Sequence, residues 1–285
     1  MLDSFATGLE RNLEPFAGRV EVVRADLRDA AAVAAACRGA TYVLHLGALG
    51  SVPRSVEDPA TSNDVNVTGT LNVLVGARDA GAKRVVFSSS SSVYGANPEI
   101  PKRVGMATDP VSPYAVTKQA AESYTRVFWR IYGLETVALR YFNVFGENQR
   151  PDSAYAAVIP KFMDWAMKGE PLVIHGDGLQ SRDFTYVDNV VSANLLAATV
   201  EGVAGEVFNI ACGGSYTLVE IADALGKALG HPLARRHVEA RAGDVRKSLA
   251  DIAPAEARLG YRVLVGFEEG LARTWKSFLA RYGGA

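Results

Sequence analysis

Over the first 140 residues, short β-branched runs alternate with longer stretches of helical apolar spacing. Residues 20–23 (V-E-V-V), 42–46 (Y-V-L-H-L), 85–87 (V-V-F) and 136–139 (T-V-A-L) are brief and largely apolar. That is the pattern of strands buried on both faces. Residues 30–37, 60–80 and 115–132 lie between them with apolar positions three and four apart, which predicts helices. Strand and helix in alternation imply a parallel sheet with right-handed crossovers, hence an α/β, doubly wound fold. After residue 150 the pattern loosens. Helices are predicted over 158–167, 188–200, 218–229 and 267–281, and strands over 172–175 and 206–210, among many glycine turns. The chain is expected to divide at this point: a doubly wound domain over 1–150, and a smaller mixed α/β lobe over 151–285 that shares some segments with the first.

Composition narrows the function classes. With 48% hydrophobic and 21% charged residues the chain has enough apolar surface to offset the entropy of folding, so disorder is excluded. No window approaches the ~18 uninterrupted apolar residues of a membrane span. Thirty basic against thirty-one acidic residues leave a net charge of −1, so no global field recruits nucleic acid or a membrane surface. Any anion site must then be a local group of arginines. Cys37 and Cys212 are too few for a disulfide scaffold or a zinc site, and both are expected as small buried residues. The four histidines, His45, His175, His231 and His237, show no metal-ligand spacing, and His45 reads as a core histidine. The first residues carry no secretory signal, so a cytoplasmic location is expected.

The chemistry concentrates in one stretch. Tyr114 and Lys118, in S-P-Y-A-V-T-K, stand four apart and so share a helix face. An ammonium beside a phenol favours the phenolate and lowers a pKa of about 10 towards neutrality, which makes tyrosine a usable base. The pair follows a strand that runs into five serines, Ser88 to Ser92, and then V-Y-G. Ligands gather at the carboxyl ends of parallel strands, so these serines are placed to meet a substrate hydroxyl.

Strand, serines and V-Y-G, then S-P-Y-x-x-x-K, then L-R-Y-F-N-V-F-G over 139–146, resemble the extended short-chain dehydrogenase/reductase superfamily, and within it the nucleotide-sugar epimerases. The resemblance runs from Leu2 to the C-terminal helix. It implies NAD as cofactor and a UDP-sugar as substrate, with Tyr114 as general base, Ser90 bonding the sugar's O4, and Lys118 holding the nicotinamide ribose. Asp3 would bind the adenosine ribose, with Ser4, Phe5 and Gly8 beside it. Asp26 and Leu27 would flank the adenine. Leu46, Gly47 and Ala48 would run under the pyrophosphate, and Phe142 would lie by the nicotinamide. Asn143, Arg182 and Arg241 would hold the sugar diphosphate, where two guanidiniums supply planar bidentate donors. Asp244 would hold the uridine ribose.

Dehydratase and decarboxylase relatives carry an acid just after the strand-end hydroxyl; Ser91 and Ser92 stand there instead, which favours simple 4-epimerisation by transient oxidation at carbon 4. The stretches around Gly50, Ser51, Ala157 and Ser248 look most like 4-epimerases of N-acetylated UDP-hexoses, Ser248 leaving room beside carbon 2. UDP-glucose or UDP-glucuronate 4-epimerisation is the alternative. A homodimer packed through the helix of Tyr114 is also implied.

One element of this pattern is absent from the sequence. A Rossmann-like fold opens with a strand, a glycine-rich loop and a helix whose N-terminus holds the pyrophosphate. No G-x-G-x-x-G or G-x-x-G-x-x-G occurs, and Leu2 and Asp3 read as the end of the second strand. The expectation is a fold lacking its first strand, loop and helix. A binding module unable to hold NAD is therefore the competing expectation from another class.

Overall fold

The computed structural model describes residues 1–151, 157–240 and 246–283. In chain order its elements are β1 (Leu2–Asp3), β2 (Val23–Arg24), α1 (Ala30–Cys37), β3 (Tyr42–His45), α2 (Val52–Glu57), α3 (Pro59–Asn63), α4 (Gly69–Asp79), β4 (Arg84–Ser90), α5 (Pro113–Tyr132), β5 (Glu135–Tyr141) and β6 (Val144–Phe145). There follow α6 (Val158–Met167), β7 (Leu172–His175), β8 (Ser181–Arg182), β9 (Thr185–Tyr186), α7 (Val187–Thr199), β10 (Val207–Ile210), β11 (Tyr216–Thr217), α8 (Leu218–Leu229), β12 (Arg235–Val238), α9 (Ala253–Leu259) and α10 (Phe267–Tyr282). Two compact units result. One comprises Met1–Asn97, Ala107–Arg140 and Asn194–Phe208; the other comprises Pro98–Met106, Tyr141–Ala193 and Asn209–Ala285.

The first unit is built on β4, which runs parallel to β3 with Tyr42 opposite Arg84 and His45 opposite Phe87. The full sheet order is β10–β5–β4–β3, while β1 pairs in parallel only with β2, in a separate two-stranded sheet. Helix α1 packs on α4, and Val33, Cys37, Val73, Leu74, Ala77, Val85 and Phe128 form the core there. Burial on both faces holds for β4 and β5 but not for the other two predicted strands. Residues 20–22 precede β2 instead of extending it, and Val20 and Val22 are exposed. On β3, Tyr42 and Leu44 are 38% and 43% exposed. The reason is position: β3 is an edge strand, with β4 its only partner among the described residues.

Local chemistry sets the helix that matters most. The Ser112 side chain accepts the N–H of Ala115, Pro113 occupies the first turn, and Gly133 ends α5 in the left-handed region at φ +69°. The predicted helix 60–80 is three pieces: α3, a π turn over Asp64–Thr68, and α4. At the start of β4, Arg84 is 1% exposed. Its guanidinium donates to Glu135 Oε2 at 2.8 Å and to the carbonyls of Ala197 and Val200 at 2.8 and 2.6 Å, which are the open acceptors at the end of α7.

In the second unit, Phe145, Phe162, Ile174, Phe184, Leu225, Phe267 and Leu271 form a core shared by α6, α8, α10 and β7. Tyr216 stacks on Phe267 with ring centroids 4.0 Å apart. Strand β12, unforeseen in sequence, pairs in parallel with β7. The predicted helices 158–167 and 218–229 form with those bounds, the second started by a capping box between Thr217 and Glu220. Cys37 is buried as expected, whereas Cys212 is only partly covered, where it accepts a hydrogen bond from Asn189 at 3.6 Å.

Candidate active site

Three successive serines of β4 meet α5. The carbonyl of Ser88 accepts Lys118 Nζ at 2.7 Å, Ser89 Oγ donates to Glu122 at 2.6 Å, and Ser90 hydrogen-bonds the phenol of Tyr114. Ser90 Oγ also accepts the N–H and hydroxyl of Ser92 at 3.1 and 2.9 Å, so the turn after the strand fixes its position. The ammonium of Lys118 lies 5.1 Å from the centre of the Phe87 ring.

The electrostatics differ from the expectation drawn from spacing. Burial raises the Tyr114 phenol above its ordinary pKa of 10, opposed by the hydrogen bond from Ser90. Lys118 donates to a backbone carbonyl, and burial pushes its own pKa down to about 8. Ser90, then, is the group that favours the phenolate here.

A buried polar chain supports the start of α5. Tyr114 N–H donates to Ser55 Oγ at 3.0 Å, and Thr117 Oγ1 donates to the Tyr114 carbonyl at 2.7 Å. Asn66, in the π turn, donates to Thr117 Oγ1 at 3.0 Å while its carbonyl oxygen accepts Leu49 N–H at 2.8 Å. The 47–51 loop and the first turn of α5 are thereby held by one side chain. Ser51 is spent on capping α2, and Gly50 is exposed. His45 contacts Thr70 Oγ1 at 2.9 Å, and burial drives its pKa to about 3, so it is a neutral core histidine as predicted. Neither Asn66 nor Ser55 had a signal in the sequence beyond being polar residues on helices.

At the ends of β1 and β2 stand the two acids expected around the adenosine. Asp3 accepts Phe5 N–H at 2.7 Å, and a Cβ added at Gly8 would lie 3.6 Å from its carboxylate. Asp26 is engaged by Arg28 through Nε at 3.0 Å and Nη2 at 2.9 Å. Ser4 is exposed and its Oγ accepts Ala6 N–H at 3.4 Å. A Cβ on Gly47 or Gly69 would lie 2.9 or 2.7 Å from the Leu27 side chain, so these glycines seat Leu27 directly against the backbone. Leu46 is exposed, and Ala48 is partly covered.

In the second unit Asp183 gathers the candidate residues. Its carboxylate, fully buried, accepts N–H groups from Cys212, Gly213 and Ala250 at 3.0, 3.1 and 3.3 Å. Burial outweighs these donors and pushes its pKa up to about 6. Asn143, at φ +34°, donates to the Asp183 carbonyl at 2.8 Å. Ser248 N–H donates to the Ser181 carbonyl at 3.0 Å, beside Arg182 in β8, so one register holds both. Phe142 is fully buried, and Ala157 caps α6 at the surface. Arg241 and Asp244 lie outside the described residues. Among the described residues no His, Cys, Asp or Glu side chains group as a metal site, and no helix is long and apolar enough to cross a membrane.

Residues 3–211 match the NAD-dependent epimerase/dehydratase family. The chain belongs to that family. Its fold is that of solved relatives: over 98% of this chain and 90% of the other it superposes with a TM-score of 0.94, at 39% identity, on a UDP-N-acetylglucosamine 4-epimerase from Methanobrevibacter ruminantium M1. A UDP-glucose 4-epimerase from Thermus thermophilus, in complex with NAD, is 35% identical with a TM-score of 0.88, covering 97% of this chain and 89% of the other. A UDP-glucuronate 4-epimerase from Thermodesulfobacterium geofontis is 36% identical over 81% of this chain and 70% of its own length. As in the rest of the epimerase/dehydratase family, the cofactor is NAD. The chain fits NAD at both ends: carboxylates at the ends of adjacent parallel strands β1 and β2, and on α5 a buried ammonium one helical turn after a phenol.

Proposed function

We propose that the protein is a UDP-hexose 4-epimerase that prefers the N-acetylated pair UDP-GlcNAc/UDP-GalNAc. The meeting of Tyr114, Ser90 and Lys118 at the end of β4 carries the reading of an epimerase. Residues 88–92 supply hydroxyls and no carboxylate, which supports simple epimerisation over dehydration. Bound NAD supplies the reversible hydride chemistry at carbon 4 of the sugar. Lys118 and the acids Asp3 and Asp26 would hold its two riboses and adenine. Tyr114 takes the proton of the 4-hydroxyl and later returns it; Ser90 donates to the phenolate and orients that hydroxyl. Asn143 and Arg182 bind the diphosphate, a remote and unreacting part whose binding energy is used for positioning. The exposed stripe Val116, Tyr124, Val127 and Ile131 on α5 supports a homodimer, and we place the enzyme in the cytoplasm.

The preference for N-acetylated sugars rests on Ser248, a small and partly covered residue. Ser248→Tyr adds a ring beside carbon 2 and should exclude the acetamido group, since overfilling a site is penalised. The expected result is a fall of at least ~10-fold in kcat/KM for UDP-GlcNAc with activity on UDP-glucose largely kept, a discrimination of the size a pocket volume supplies. Equal losses on both substrates would reduce Ser248 to a packing residue. A wild-type enzyme that favours UDP-glucose or UDP-glucuronate would overturn the substrate assignment, and an NAD-free, inactive protein would support the binding-module alternative.

A further inference from the structure

Beyond Lys118, the same face of α5 carries Glu122, at positions i, i+4 and i+8 with Tyr114. Glu122 is 5% exposed and is held from two strands at once. From β4, Ser89 Oγ donates to its Oε2 at 2.6 Å; from β5, Arg140 donates through Nε to Oε2 at 2.9 Å and through Nη2 to Oε1 at 2.6 Å. Arg140 is equally buried, and its guanidinium lies 4.8 Å from the centre of the Tyr94 ring, in the turn that follows Ser90. The charged or titratable groups around Glu122 are thus Arg140 from β5, Tyr94 from the turn, and Lys118 one turn back on its own helix.

We propose that Glu122 is a positioning residue, the point at which α5 is fixed in height on β4 so that Tyr114 meets Ser90 and Lys118 meets Ser88. This rests on the epimerase reading above. The geometry carries it in three steps. Three consecutive serines receive three successive turns of one helix, so a slip of the helix by a fraction of a turn breaks all three contacts together. The Ser88 and Ser90 contacts each use one hydrogen bond, whereas Glu122 is held by three, one from Ser89 on β4 and two from Arg140 on the adjacent β5 in a planar fork that fixes angle as well as distance. Finally, a buried ion pair contributes little net stability compared with apolar residues of similar volume, while it can specify a single packing arrangement. A structural role alone would therefore be filled as well by leucine and methionine.

The test is the double variant Glu122→Leu/Arg140→Met, studied as the full-length protein with NAD. It is expected to unfold at a temperature no lower than the wild type, yet to lose at least ~10-fold in kcat with KM for the UDP-sugar unchanged, the signature of a misplaced catalytic group. A second readout needs no turnover. The ionisation of Tyr114, taken as the difference at 295 nm between each protein and its Tyr114→Phe counterpart, should move up by at least ~0.5 pH unit as the phenol loses Ser90. Wild-type kcat and an unmoved titration in a folded double variant overturn the proposal. Should the double variant fail to fold, Ser89→Ala decides: it removes one hydrogen bond and must shift the Tyr114 titration in the same direction, and an unmoved titration overturns the proposal. If the wild type turns over no UDP-sugar, the epimerase reading fails, while the titration still reports whether Glu122 positions Tyr114.

Discussion

Replacing Lys118 with methionine is expected to abolish turnover and, at the same time, to make the NAD-free protein harder to unfold at neutral pH than the NAD-free wild type. The ammonium is fully enclosed, with one carbonyl as hydrogen-bond acceptor and an aromatic face nearby, and its pKa is pushed from 10.5 to about 8. Keeping a proton on such a group at pH 7 costs on the order of 3 kcal/mol relative to the unfolded chain. Losing the bond to Ser88 gives back about 1 kcal/mol, so a net gain of roughly 2 kcal/mol is expected. The sign with pH follows. Between pH 8 and 10.5 the unfolded state holds more protons than the folded one, so wild-type stability rises with pH across that window. The variant lacks this rise. Urea unfolding at pH 7 and at pH 10 measures both, and the advantage of Lys118→Met should shrink as pH rises. Turnover should fall by at least ~100-fold, with loss of NAD retention, whereas Tyr114→Phe should lose turnover to the same extent and keep NAD, since only the acid–base group is removed. A destabilised Lys118→Met protein would show that the lysine is a structural residue.

Arg84→Met is the substitution expected to cost most in stability away from the site. One guanidinium serves Glu135 and two carbonyls at the end of α7, and its side chain is 2% exposed against 31% for Glu135. Removing it leaves the Ala197 and Val200 carbonyls without that donor and breaks a buried pair, an effect of about 3–5 kcal/mol. Glu135 can partly rehydrate, which places the expectation near the lower end. Arg84→Lys should recover less than half, because a point charge cannot reach three acceptors in a fork geometry. Denaturant titration of the two variants separates these cases; equal stability of Arg84→Lys and wild type would show that charge alone suffices.

The candidate site was legible wherever its chemistry depends on neighbours along the chain. Tyr114 and Lys118 share a helix face by spacing alone, and the serines follow a strand, so their meeting follows from the sequence. The direction of the Tyr114 shift could not, because it is set by burial and by where Lys118 finds its acceptor, and both are tertiary facts. Glu122 carries no local signal for a related reason. An acid four residues after a lysine reads as a solvated pair on a helix surface, and nothing local announces that Arg140 and Ser89 will close on it. Asp183 was likewise invisible, since its partners are backbone N–H groups distant in sequence, at positions 212, 213 and 250 among them. Helices with a strong apolar face and a cap, such as α6 and α8, formed where the periodicity put them, whereas the valines at 20 and 22 have period-2 spacing but no strand.

The π turn over Asp64–Thr68 has a consequence for how this stretch tolerates insertions and deletions. A wide turn accommodates one residue more than a regular helix would over the same length, and each residue of a regular helix turns ~100°. Within it Asn66 must face Thr117 and the 49 loop; downstream, Gly69, Val73 and Ala77 must face Leu27 and the α1 side. The extra residue uncouples those two orientations, acting as a phase adjuster between a polar duty and an apolar one. Shortening the stretch by a single residue would leave both halves helical and both sequences intact, but one of them would face the wrong way.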